Sequence, residues 1–316
     1  MIFKILLILS LLITLGRRSR LTMWLALEIN MLRFLPIMSE MEDFCFDNII
    51  KYFLVQSLAS ITFIIFSLFR IINRVRKIEL FVFLALSLKL GIAPFHRWFL
   101  SIVKNTSLIV IFLLSTIQKI IPVSIFSIIN IWGRYLYLMI NINFLLLFTR
   151  GLFILRFNKI LGLSRINNLM WLLLGTVNNI YRGYLFLFIY RFLLSGVLVL
   201  FLHSHKSVFF NIVNKNLIYN MRILFILISI GGLPPFLGFL RKVLILKQRS
   251  THVRLIVLVI LVFRALIILY YYIRFIFLSS RLSPQPIIIN KPKISYLEIF
   301  YMVRILAFWL IIIYIV

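Results

Sequence analysis

The chain has almost no cysteine and very little acid. A single cysteine, Cys45, among 316 residues excludes an intramolecular disulfide and any iron–sulfur cluster held by cysteines of this chain alone. The four histidines are scattered. Only His203 and His205 lie close together, and residues i and i+2 do not share a helix face, so no metal site is indicated. No G-x-G-x-x-G or G-x-x-x-x-G-K-[ST] stretch occurs, and with it goes any phosphate-cradling loop. The apolar runs do not alternate with period two, which excludes barrel strands. Seven acids face 35 lysines and arginines, a net charge of +28. In a soluble protein that surplus would point to nucleic acid. Here much of it sits in short connectors such as RRSR (17–20) and NRVRK (73–77), and basic segments beside membrane spans orient them and hold anionic headgroups. Phospholipids, cardiolipin among them, are the expected partners, and nucleic acid is not.

What the chain does have is oil. Hydrophobic residues make up 63% and mean hydropathy is +1.12, against about 45–50% apolar residues in soluble domains. Runs long enough to cross a bilayer as helices recur at about 2–16, 22–38, 49–70, 79–100, 107–128, 134–150, 159–180, 183–203, 221–247, 253–279 and 295–316. The N-terminal run is followed by no small-x-small cleavage site and lacks the amphipathic, serine-rich character of a presequence, so it is expected to stay as the first span. The longest connectors lie near 39–48 and 280–294, and neither reaches the size of a soluble domain. The expectation is an all-α, polytopic transmembrane bundle of about eleven spans forming one domain over 1–316.

Ionisable groups deep inside these spans are few. Glu28 is the one acid well within a run, and Lys89, Lys119 and Lys242 are the deep lysines. A charge at membrane depth costs about 2.5–3.5 kcal/mol on insertion scales, and such groups usually face a bundle interior on a proton or ion pathway. A lysine near a helix end can instead snorkel to the interface, but Lys89 and Lys119 are far from both ends of their runs. Prolines stand close by. Proline removes the bond to the carbonyl four residues earlier, so Pro94 frees that of Leu90, Pro122 that of Gln118, and Pro234 and Pro235 those of Ile230 and Gly231. Freed backbone at this depth is tolerated where it is buried in protein or lines a wet cavity. Two segments, KLGIAPFHRW (89–98) and GGLPPFLGFLRK (231–242), therefore read as broken helices at corresponding places in two halves, the pattern of transporters built on inverted repeats.

Taken together, LEINMLRFLPIM (27–38), KYFLVQSLAS (51–60), KLGIAPFHRWF (89–99), QKIIP (118–122) and GGLPPFLGFLRK (231–242) resemble the mitochondrial NADH dehydrogenase subunit 2 family. These are antiporter-like membrane subunits of respiratory complex I. The motifs occur in the family's order from the second span to the ninth, and the last seventy residues match only as hydrophobic spans. The resemblance implies two inverted five-helix repeats, each with a broken helix. It implies that Glu28 pairs with Lys89, that Lys119 is the central lysine, and that Lys242 belongs to the second broken helix. Together these would form a proton-transfer row, with His96 as an accessory. It implies a multi-pass protein of the mitochondrial inner membrane, partnered by the other membrane-arm and accessory subunits. This chain would carry no cofactor; NADH, FMN, iron–sulfur clusters and ubiquinone would be handled by those partners. A free-standing cation/proton antiporter shares the fold and remains the alternative.

The chain departs from the family pattern in NKILGLSRINNLMW (158–171). Arg165, Asn168 and Met170 stand there where serine, histidine and glycine are usual, so position 168 carries no relay assignment. Arg97, beside His96, takes a usually apolar place. Arg33, Arg165, Arg191 and Arg264 all lie within apolar runs, and four such cations without acids would cost on the order of 10 kcal/mol. Two accounts fit them. They are genuine and snorkel or bind cardiolipin, or they are serines encoded by AGA or AGG, codons that several mitochondrial codes read as serine.

Overall fold

A computed structural model describes residues 19–41, 46–73, 76–129, 133–151, 157–203, 217–234, 236–247 and 255–281. The expected spans at 2–16 and 295–316, and most of the connector at 280–294, lie outside the described residues. Within them the secondary structure is helical throughout: α1 Arg20–Met41, α2 Phe46–Asn73, α3 Arg76–Leu90, α4 Arg97–Asn105, α5 Leu108–Ser115, α6 Ile117–Ile129, α7 Gly133–Gly151, α8 Phe157–Asn178, α9 Ile180–His203, α10 Leu217–Gly231, α11 Leu237–Leu246 and α12 Leu255–Arg281. Six stretches, 20–41, 46–69, 108–129, 157–177, 180–200 and 257–275, are long and apolar enough to cross a bilayer.

The helices are built inside out relative to those of a soluble protein. On α2 the outward stripe is Ile50, Leu54, Leu58, Ile61 and Ile65, all exposed, while the inward stripe carries Tyr52, Gln56, Ser60 and Ser67, all buried. The bilayer accepts the apolar stripe, so polar groups gather where protein can satisfy them. α8 is the centre of the bundle, with every described side chain but Lys159 and Val177 buried. One apolar cluster joins its C-terminal half to α3, α6 and α7 through Leu86, Phe126, Ile140 and Trp171. A second joins its N-terminal half to α9, α10 and α12 through Ile160, Leu193, Leu227 and Tyr272.

Both expected breaks are present. The 79–100 run divides into α3 and α4, and the 221–247 run into α10 and α11. These pieces have 15, 9, 15 and 10 residues, and none alone reaches the roughly 20 a crossing needs. Each first half ends on a left-handed glycine, Gly91 at φ 68° and Gly232 at φ 80°, a conformation that spares glycine the Cβ penalty. At the first break the Gly91 N–H donates to Leu88 O and the Ile92 N–H to Ser87 O, the paired bonds of a Schellman cap. At the second, the Gly232 N–H donates to Ile228 O at 2.9 Å, the simpler left-handed cap. A third discontinuity was not foreseen. The 107–128 run parts at Thr116, between α5 and α6, whereas Pro122 sits inside α6. The distortion lies upstream of the proline, on the side its ring crowds.

Candidate functional site

The deep ionisable groups lie on four different helices. α1 carries Glu28, α3 carries Lys89 on its last turn, α6 carries Lys119, and α11 carries Lys242. The lysines are 3%, 2% and 5% exposed respectively. Glu28 Oε2 is buried without a hydrogen-bond partner.

Three of the carbonyls expected to be freed, those of Leu90, Ile230 and Gly231, are taken up by cations. Lys119 Nζ donates to Leu90 O at 2.5 Å and to Lys89 O at 3.4 Å. Leu90 closes α3, so this ammonium sits at the negative end of a half-helix, where a cation is favoured. The acceptor freed by Pro94 thus serves Lys119, 29 positions further along the chain, rather than the adjacent Lys89. At the second break Lys242 Nζ donates to Gly231 O, the last residue of α10, and Arg241 Nη2 donates to Ile230 O at 2.7 Å. A Cβ at Gly232 would stand 2.6 Å from Lys242 Nζ, so glycine here serves both the turn and the lysine's approach.

Two small cavities adjoin Lys119, one shared with Lys89 and the other running toward Asn168. The first is walled by Asn30, Tyr52, Gln56, Lys89, Gln118 and Lys119 among others and has room for about one water. Its wall is hydrogen-bonded: Asn30 Nδ2 donates to Gln118 Oε1 at 2.7 Å, Tyr52 OH to the same oxygen at 3.3 Å, and Gln56 Nε2 to Lys89 O at 3.3 Å. The second cavity is walled by Ser115, Lys119, Arg165, Asn168 and Tyr190 among others. Lys119 belongs to both walls. Beyond the second cavity Asn168 Oδ1 accepts from Arg241 Nη2 at 3.2 Å, and Arg241 adjoins Lys242.

Residue-level reading had singled out only the ionisable members. Asn30, Tyr52, Gln56 and Gln118 were missed as site residues although all four lie in the quoted motifs; a search for neutral polar side chains at membrane depth would have found them. Asn168, which carried no assignment, faces the second cavity. His96 lies inside the first break, buried, with Nδ1 3.2 Å from Pro94 O; neither cavity wall includes it. Of the in-span arginines, Arg165 and Arg264 are buried, Arg191 is exposed and Arg33 is half-buried.

Comparison with known proteins gives consistent results. The NADH:quinone oxidoreductase/Mrp antiporter transmembrane family model matches residues 18–268. NADH-ubiquinone oxidoreductase chain 2 of Anopheles gambiae is 35% identical over 286 residues, covering 86% of this chain and 83% of the relative. The chain of the same name from Artemia franciscana is 32% identical over 289 residues, covering 90% and 91%. Among solved structures, a chain of respiratory complex I from Thermus thermophilus superposes with a TM-score of 0.80 at 20% identity, covering 98% of this chain and 77% of that one. A chain of the Mrp complex from Dietzia has a TM-score of 0.70 at 14% identity, covering 86% and 59%. These two describe the fold.

Proposed function

The chain belongs to the NADH:quinone oxidoreductase/Mrp antiporter transmembrane family, among the NADH-ubiquinone oxidoreductase chain 2 proteins, and on that premise we propose that it conducts protons through Glu28, Lys89, Lys119 and Lys242 as a membrane-arm subunit of respiratory complex I. The observation that carries this reading is the placement of Lys119, which walls both cavities and holds its ammonium on the freed Leu90 carbonyl.

An isolated ammonium is destabilised in a low-dielectric interior, and a nearby carboxylate or helix C-terminus stabilises it. A small approach of Glu28 toward Lys89 therefore favours a proton there, and its withdrawal releases that proton into the first cavity. The first cavity adjoins both Lys89 and Lys119 and would hold a relaying water, and the α3 terminus supports the charged form of Lys119. From Lys119 the second cavity leads past Ser115, Asn168 and Tyr190 toward Lys242. No redox group is needed along this row. The chemistry of NADH, FMN, iron–sulfur clusters and ubiquinone belongs to partner subunits, and the driving force reaches this chain as movement or charge.

On the same premise we read the protein as a single antiporter-like domain over 1–316 of the mitochondrial inner membrane, packed against other membrane-arm and accessory subunits and against phospholipid; the family match and the six long apolar helices support this reading. A free-standing antiporter is the weaker reading, because the sequence identity runs with complex I chains. The deciding experiment is Lys119→Met in the assembled complex, reconstituted into liposomes. Proton uptake per NADH oxidised should fall sharply with assembly intact. Normal uptake by an assembled variant removes Lys119 from the pathway.

A further inference from the structure

Three buried arginines occupy places that leave the guanidinium incompletely satisfied. Arg165, Arg241 and Arg264 are 2%, 0% and 0% exposed, and none pairs with a carboxylate among the described residues. A guanidinium carries five N–H donors in a rigid fork, and each of these forks is left incomplete. Arg165 donates from Nη2 to Leu114 O, while its Nε and Nη1 are buried with no partner. Arg264 donates from Nη1 to Ile140 O at 3.4 Å, and its Nε and Nη2 are likewise bare. Arg241 fares best, with bonds to Gly238 O, Asn168 Oδ1 and Ile230 O, yet its Nη1 has none. Aromatic faces lie near two of them, Phe99 at 3.9 Å from Arg165 and Phe186 and Tyr190 at 4.9 and 5.1 Å from Arg241. A ring face offers attraction but does not accept the remaining donors.

The lysines of the same interior behave differently. Each of Lys119 and Lys242 meets a carbonyl at a half-helix terminus that suits a single ammonium, whereas Arg165 and Arg241 each reach one such carbonyl and still keep donors on the rest of the fork without a partner. A hydroxyl would need no such provision. Ser115, Ser124, Ser164 and Ser229 each donate to the carbonyl three residues back, at 2.9, 2.8, 2.8 and 2.6 Å, and Ser164 adjoins Arg165 in the same helix. A helical serine satisfies its one donor on its own turn. AGA and AGG denote arginine in the standard code and serine in several mitochondrial codes, so one decoding rule accounts for all three positions.

We propose that the chain made in the cell carries serine at positions 165, 241 and 264, decoded from AGA or AGG. The burial argument extends the set to 241 and leaves out the exposed Arg191; Arg33 is half-buried as a residue, although its Nη1 too is buried without a partner. One consequence rests on the conduction pathway proposed above. With hydroxyls at 165 and 241, the passage from Lys119 past Asn168 to Lys242 holds no fixed cation, and each lysine can gain a proton without repulsion from a permanent neighbour.

The test reads the three codons and, in parallel, sequences chymotryptic peptides by tandem mass spectrometry. The peptides come from both the total mitochondrial membrane fraction and the NADH-oxidising band of a mild-detergent native gel. Expected are AGA or AGG at every position and serine in all three peptides. A CGN codon at any of the three, or arginine in any one peptide, overturns the assignment. Absence of the chain from the NADH-oxidising band would instead count against the complex I reading, and the membrane-fraction peptides would still report the residues.

Discussion

At Lys119 a single ammonium holds two backbone carbonyls, one of them the Leu90 oxygen at 2.5 Å, and stands between two cavities. Glu28 has a different part. Its buried Oε2 makes no hydrogen bond, so Glu28→Gln should leave packing alone and lower the proton-pumping rate by roughly tenfold, the effect of about 1.4 kcal/mol on the limiting step. Pumping by reconstituted complex at matched NADH oxidation measures it, and an unchanged rate would remove Glu28 from the mechanism. Gln118 is a structural hub of the first cavity, since its Oε1 accepts from both Asn30 and Tyr52. Gln118→Leu leaves two buried donors without an acceptor, at about 1–3 kcal/mol for each group, and should lower the thermal midpoint of the complex. Gln118→Glu keeps the acceptor and should recover most of that stability.

The two broken helices are alike in their caps and unlike in what the caps face. A Cβ at Gly91 would meet the Trp98 ring at 3.1 Å, a side chain able to shift, whereas one at Gly232 would meet Lys242 Nζ at 2.6 Å. Both positions carry the strain of a left-handed residue, about 1–2 kcal/mol. Gly232→Ala should therefore abolish pumping along with the Lys242 contact, and Gly91→Ala should cost a similar amount of stability with a much smaller loss of pumping. Comparing the two variants for proton uptake and melting temperature separates these effects; equal pumping losses would show that Lys242 does not depend on Gly232. The breaks themselves were legible as glycine followed by proline inside an apolar run. The discontinuity at Thr116 was not, because Pro122 marks the strained region without saying on which residue the backbone yields.

For the molecule as a whole, the outward face of α2 provides the sharpest contrast with a soluble fold. Leu58 is 59% exposed, and on a soluble surface a charge there would be nearly neutral. At membrane depth Leu58→Arg should cost about 2.5–3.5 kcal/mol on insertion and reduce the amount of assembled complex on a native gel. Undiminished assembly would place that face in water.

Composition alone determined that the chain is a helical membrane protein, because only runs of about 20 apolar residues with internally satisfied backbone can cross lipid. It also marked Glu28, Lys89, Lys119 and Lys242, because a charge inside such a run is too costly to be incidental. Only the tertiary structure decided who partners whom. The oxygen freed by Pro94 goes to a lysine 29 residues away, and Gln118 unites side chains from α1 and α2. Arg165, Arg241 and Arg264 likewise proved to be enclosed only once the helices were packed. Hydrophobicity is a property of each residue and is written along the chain. Hydrogen-bond partnership at depth depends on which helix faces which, and that is set by packing around α8.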